Sequence, residues 1–136
     1  MSPDLNPTIL KQADLKAKLD KKLKEKFVET GGWLLDYQEA RRQAEKQGKP
    51  IFVYFTRTFA PWGPCDTLES GALSSSAFLD FRKKVIPYLN IMTRIEGHPD
   101  DNLLIDLGYG GHPTLVFMNP KGEVLGRPLE RSVTSL

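Results

Sequence analysis

One cysteine and two histidines are the side chains in these 136 residues best suited to chemistry. Cys65 closes the run Trp62-Gly63-Pro64-Cys65, between an apolar stretch, Ile51 to Thr56, and a helix-like segment through Leu68 and Ala72. A thiol placed where a strand hands over to a helix N-terminus lies in the field of the helix dipole, which favours the nucleophilic thiolate. Because Cys65 is the single cysteine, there is no Cys-x-x-Cys and no intrachain disulfide. Dithiol exchange needs one thiolate to attack and a second thiol to release the mixed disulfide, and the second is missing. Two readings of Cys65 therefore stand. It is a small, partly buried apolar residue at a helix start, or a monothiol that forms mixed disulfides or is oxidised. His98 and His112 match no zinc spacing with Cys65 and have no evident carboxylate support, so no metal and no cofactor is expected. No Ser-His-Asp arrangement or nucleic-acid motif occurs, and Gly108-Tyr109-Gly110-Gly111 lacks the strand-then-helix context of a phosphate loop.

The elements that must position these residues can be read in order. Asn6-Pro7 predicts a helix start, with Asn6 as N-cap. Leu15, Leu19, Leu23 and Phe27 recur every four residues and predict one amphipathic helix as far as Thr30, broken by Gly31-Gly32. Trp33-Leu34-Leu35 reads as a short edge strand. Asp36-x-x-Glu39 has the form of a capping box, with Leu35 placed to staple onto Ala40, for a helix from Tyr37 to Gln47 closed by Gly48. The run Ile51 to Thr56 suits a strand buried on both faces. Ser74-Ser75-Ser76 offers N-caps for a short helix through Phe81. A strand is expected over Pro87 to Ile95, with Leu89, Ile91 and Ile95 inward. Asp100 or Asp101 is expected to cap a helix carrying Leu103, Leu104 and Leu107. Pro113 to Met118 and Glu123 to Gly126 complete a hairpin about Asn119-Pro120-Lys121-Gly122.

Two stretches carry a resemblance to the thioredoxin superfamily. Gly63-Pro64-Cys65 after a buried strand resembles the end of that family's Trp-Cys-Gly-Pro-Cys turn, and Gly111-His112-Pro113-Thr114 resembles its cis-proline loop. Upstream, Trp33, Tyr37, Ala40, Ala44 and Gly48-Lys49-Pro50 keep the spacing seen in small bacterial thioredoxin-like domains. The resemblance spans about Trp33 to Arg127. It implies an α/β fold: a thioredoxin-like α/β/α sandwich with a mixed central sheet, a cis-proline loop facing the cysteine turn, and here an additional N-terminal helix. The domain organisation expected is an N-terminal helical extension over residues 1–30 and a thioredoxin-like domain over 31–136. The family's closing helix is not expected, because Pro128 to Leu136 is short and polar; the sheet face this leaves open is a natural place for the N-terminal helix or for a partner.

The resemblance also locates a departure. Aligned on Gly63-Pro64-Cys65, Trp62 stands at the attacking cysteine's position; a one-residue deletion would instead make Trp62 the family's tryptophan. Cys65 matches the resolving cysteine. The family's buried acid in the central strand is missing, where this chain has Phe52, Val53, Tyr54 and Phe55, and Tyr54 is a poor base at neutral pH. Lineage thus implies a thiol–disulfide oxidoreductase ancestry, and the residues favour a protein- or peptide-binding module using Trp62, Gly63, Pro64, His112, Pro113 and Thr114. The alternative is a monothiol redox enzyme acting through Cys65. His112 is expected beside the thiol, lowering its pKa as an imidazolium or hydrogen-bonding the backbone.

Composition narrows the partners. A net charge of +2 implies neither nucleic acid nor an anionic surface, and the lysines at 11, 16, 18, 21, 22, 24 and 26 read as a solvated helix face. No apolar run reaches the roughly 20 residues of a membrane span. The N-terminus lacks signal-peptide regions, so the expectation is a soluble protein, cytoplasmic as the chain stands, or periplasmic or secreted if a signal was removed. A monomer, or a homodimer through the N-terminal helix, is expected.

Overall fold

The computed structural model describes residues 7–127, with the side chains of 7–10 excepted; the expectations for Asn6 and for the segment 128–136 fall outside them. Its elements run α1 (Pro7–Leu23), α2 (Lys26–Gly31), α3 (Tyr37–Gln47), β1 (Ile51–Arg57), α4 (Gly63–Ser70), α5 (Ser76–Phe81), β2 (Ile86–Met92), α6 (Leu103–Asp106), β3 (Thr114–Met118) and β4 (Val124–Gly126), with single 3₁₀ turns at Ala72–Ser74 and Arg82–Lys84.

The sheet is mixed, in the order β2-β1-β3-β4. β1 runs parallel to β2 and antiparallel to β3. Its first six residues are buried, as a strand with helices on both faces requires. The pleat sends alternate residues to opposite layers. Phe52, Tyr54, Leu89, Ile91 and Leu115 meet Phe27, Trp33, Leu68 and Phe78 on one face. Val53, Phe55, Tyr88, Val116 and Met118 meet Ala40, Ala44 and Leu104 on the other. The α1, α2, α4 and α5 segments thus share one side of the sheet with the cysteine turn, and α3 and α6 take the other.

Several expectations are corrected. The N-terminal helix is two helices: 3₁₀-type bonds from Lys24 and Glu25 to Lys21 and Lys22 close α1, and Glu25 is extended before α2. A four-residue repeat drifts roughly 40° per step around a helix of 3.6 residues per turn, so Phe27 would lie far round the barrel from Leu15. The break re-aims it, and both Leu15 and Phe27 are buried. The end of the segment falls where expected: α2 runs to Gly31, Gly32 caps it in the left-handed region (φ 68°), and the Trp33 indole packs where a Cβ on Gly31 would stand. Trp33 to Leu35 forms one parallel bridge, Leu34 to Tyr88, and no full strand. Leu35 is half exposed, opposite the staple expected of it. Only half of the capping box forms: the Asp36 carboxylate accepts from Glu39 N–H at 3.0 Å, while the Glu39 carboxylate turns to Arg42 and Gln43.

The strand expected to reach Ile95 ends at Met92 and is buried at every position, because Leu34 bridges it on one edge, β1 pairs on the other, and helices cover both faces. Asp101 caps no helix. Its carboxylate accepts from the backbone N–H groups of Thr93 and Arg94 at 2.7 and 2.8 Å and turns the chain out of the sheet there. Asn102 precedes α6, which is one turn long. In the hairpin, Asn119 Oδ1 accepts from the N–H groups of Lys121 and Glu123, and the returning strand begins at Val124.

Candidate functional site

The site lies where β1 ends and α4 begins. Trp62 is the N-cap of α4, Gly63 and Pro64 form its first two positions, and Cys65 comes next. Proline is tolerated there because its missing N–H would find no helical acceptor. The cis peptide bond between His112 and Pro113 leads into β3 on the neighbouring strand. Trp62 ties the two loops together: its indole Nε1–H donates to the His112 carbonyl at 2.8 Å. The ring is 45% exposed, with the Arg57 guanidinium 5.0 Å from its centroid. Arg57 also approaches Phe59, whose ring the Arg94 guanidinium covers at 3.8 Å.

Cys65 is 2% exposed. Burial pushes its thiol pKa up, and the neighbouring Thr56 hydroxyl offsets this only in part. The helix dipole therefore loses to desolvation at this position. His112 does not supply the imidazolium either. Burial, with the nearby Arg57 charge adding to it, pushes its pKa down to about 4, so the ring is neutral at pH 7. Its Nε2 is buried without a hydrogen-bond partner. Thr114 is interior to the sheet and closes the loop, its hydroxyl donating to the Gly111 carbonyl at 2.6 Å. Gly63, Pro64 and Pro113 come together instead around a shallow, mainly apolar groove of about 640 Å³ that continues over Leu68 and Ala72.

One buried charge close to the site was not expected. Glu69, one turn beyond Cys65, is 2% exposed and sits beneath the site. Its carboxylate accepts from the Tyr54 and Thr56 hydroxyls at 2.7 and 2.8 Å and pairs with Lys22 Nζ at 2.5 Å. The Tyr54 phenol is consequently held protonated, by burial first and by the adjacent carboxylate second. A buried acid is present after all, carried by the helix and not by the central strand. The signal was available: Cys65, Leu68, Glu69 and Ala72 stand at i, i+3, i+4 and i+7, which puts Glu69 on the buried stripe. Lys22 likewise sits one turn from Leu19 on the apolar side of α1, so this lysine is buried and no part of a solvated face. His98 lies apart, 3.1 Å from Asp101, and among the described residues no cluster could hold a metal ion.

This arrangement, a cis-proline loop bonded to the start of a helix that follows a buried parallel strand, defines a thioredoxin-like domain. Residues 32–120 match the thioredoxin-like family, and the chain belongs to it. Among solved structures, a DsbH oxidoreductase matches with a TM-score of 0.59 and 24% identity, over 70% of this chain and 69% of that one. A thioredoxin from Thermus thermophilus, solved in solution, matches with a TM-score of 0.56 and 22% identity, over 71% of this chain and 74% of that one. At such identities the likeness is one of fold. No curated protein matches the chain. No helix among the described residues is long and apolar enough to cross a membrane.

Proposed function

We propose that this chain is a peptide- or protein-binding module of the thiol–disulfide oxidoreductase lineage that has lost dithiol catalysis. The observation that carries the reading is the inversion of exposure at the turn: Cys65 is buried with a raised pKa, while Trp62 is exposed and pinned by its indole to the His112 carbonyl. A lone thiol that is protonated and screened is a weak nucleophile. An aromatic ring held rigid at a groove rim loses little entropy on binding, and Trp is a frequent interface anchor. The groove beside Pro64 and Pro113 accepts an extended apolar segment, and Trp62 immediately precedes Gly63 of its lining.

The second reading, a monothiol acting through Cys65, draws support from the cavity that Cys65 helps to line on the α1 side of Trp62. Insulin reduction by dithiothreitol separates the two. The binding reading expects turnover at the background rate in both the native protein and Cys65→Ser. It also expects an immobilised library of N-acetylated octapeptide amides to select apolar residues, with Trp62→Ala weakening capture by about tenfold or more. Turnover above background that vanishes in Cys65→Ser assigns the protein to the monothiol class instead.

A further inference from the structure

On the α1 side of Trp62 lies a second cavity, about 330 Å³, walled by Lys18, Lys21 and Lys22 from α1 and by Arg57 and Thr58 from the end of β1. Its charges are unequally engaged. Lys22 is taken by Glu69, and Lys18 by Asp14 at 3.1 Å and the Phe59 carbonyl at 3.3 Å. Lys21 and Arg57 pair with no carboxylate among the described residues. Two buried polar atoms also lack partners: Arg57 Nε and Thr58 Oγ1, the latter on a side chain 8% exposed. Buried polar atoms left without partners are costly, and these two belong to residues that line the cavity wall. Two carboxylates line the same cavity, Glu25, which is 3.8 Å from Lys22, and Asp66 on α4. The cavity is thus two-signed. It suits one acidic group set between Lys21 and Arg57 and repels a run of them.

We infer that this cavity is a subsite for a single acidic side chain of a bound peptide, whose apolar neighbours lie in the groove beyond Trp62. The inference rests on the peptide-binding reading and adds to it a class of ligand: an extended apolar segment with one Asp or Glu at the Trp62 end. Trp62 lines this cavity and adjoins Gly63 of the groove, so one strand of peptide crossing the indole reaches both. Arg57, whose guanidinium lies 5.0 Å from the centroid of that indole, supplies a positive charge beside it for the acid.

The octapeptide-amide library reads the two subsites independently, position by position. The expected result is an apolar preference over several positions plus a preference of about fivefold or more for Asp or Glu over Asn or Gln at one flanking position. That acidic preference should fall to about one, with the apolar preference kept, in Arg57→Gln and in Lys21→Gln, and raised salt should erode it selectively. Lys21 is exposed, so its variant serves where loss of the half-buried Arg57 impairs folding. Apolar selection with no acidic preference overturns this inference alone. Equal acidic preference in the native protein and both variants also overturns it, because the acid would then be read elsewhere. Selection at no position overturns both this inference and the peptide-binding reading.

Discussion

Cys65 and His112 show how far burial outweighs the local field. A helix N-terminus lowers a thiol pKa only where the thiolate keeps some solvation, and Cys65, buried beside Tyr54, Thr56 and Glu69, has lost most of it. The same desolvation acts on the imidazole and produces a pH dependence of known sign. Above the ordinary histidine value of about 6.5 the ring is neutral in both the folded and unfolded chain. As the pH falls below that value, the unfolded chain takes up a proton that the folded chain refuses down to about 4. Stability should therefore decline between these limits and level off beneath them. Partial exposure of His112 tempers the loss, which should be on the order of 1–3 kcal/mol. Urea unfolding at pH 7.5 and 4.5 checks this. His112→Gln should remove that part of the decline, and an identical decline in the variant would assign it to other groups.

Between elements, the decisive contact is the buried pair joining α1 to α4. Lys22 and Glu69 have side chains 9% and 3% exposed, and the two hydroxyls on β1 complete the carboxylate's shell. Removing one member of such a pair leaves the other buried without compensation. Lys22→Met should accordingly cost about 3–5 kcal/mol. Glu69→Gln keeps an oxygen for Tyr54 and Thr56, so the double variant Lys22→Met with Glu69→Gln should recover much of that loss. A double-mutant cycle by denaturant unfolding measures the coupling. Strict additivity of the two substitutions would show that the pair contributes nothing specific.

For the molecule as a whole, the N-terminal segment belongs to the core that carries the site. Phe27 packs edge-on against Tyr54 at 6.2 Å, and Leu19, Leu23 and Val28 flank the same cluster. Burying side chains of this size contributes about 1.5–3 kcal/mol each. Phe27 is buried and the other three in part, so together they are a sizeable share of the net stability of a typical domain, about 5–15 kcal/mol. Deleting residues 1–30 should leave a chain that aggregates or melts far lower, and would also open the floor beneath Cys65 by removing Lys22. A truncated chain that stays monomeric with an unchanged melting temperature would reduce the segment to an appendage.

The sequence by itself determined the parts of this protein that are local or periodic. The uninterrupted apolar run of β1, the Asp36 and Gly48 ends of α3, and the Asn119 turn all follow from chemistry within a few residues of each position. The order of Gly63-Pro64-Cys65 and His112-Pro113 along the chain likewise pointed to the fold, and the lone cysteine excluded dithiol exchange. The tertiary structure decided what depends on residues far apart in the chain. Helix α1 breaks at Lys24 and Glu25 because Phe27 must reach a core that the helix does not itself contain. Asp101 leaves its expected cap because the chain departing from β2 presents two N–H groups to it. The place of Glu69 on the buried stripe of α4 was legible, but what lets it be buried was decided by the packed fold. Nothing near it in sequence would neutralise it, and its partners, Lys22, Tyr54 and Thr56, reach it only when α1, β1 and α4 meet. A charge can be buried only where its counter-charge and donors converge, and that convergence is a property of the packed fold.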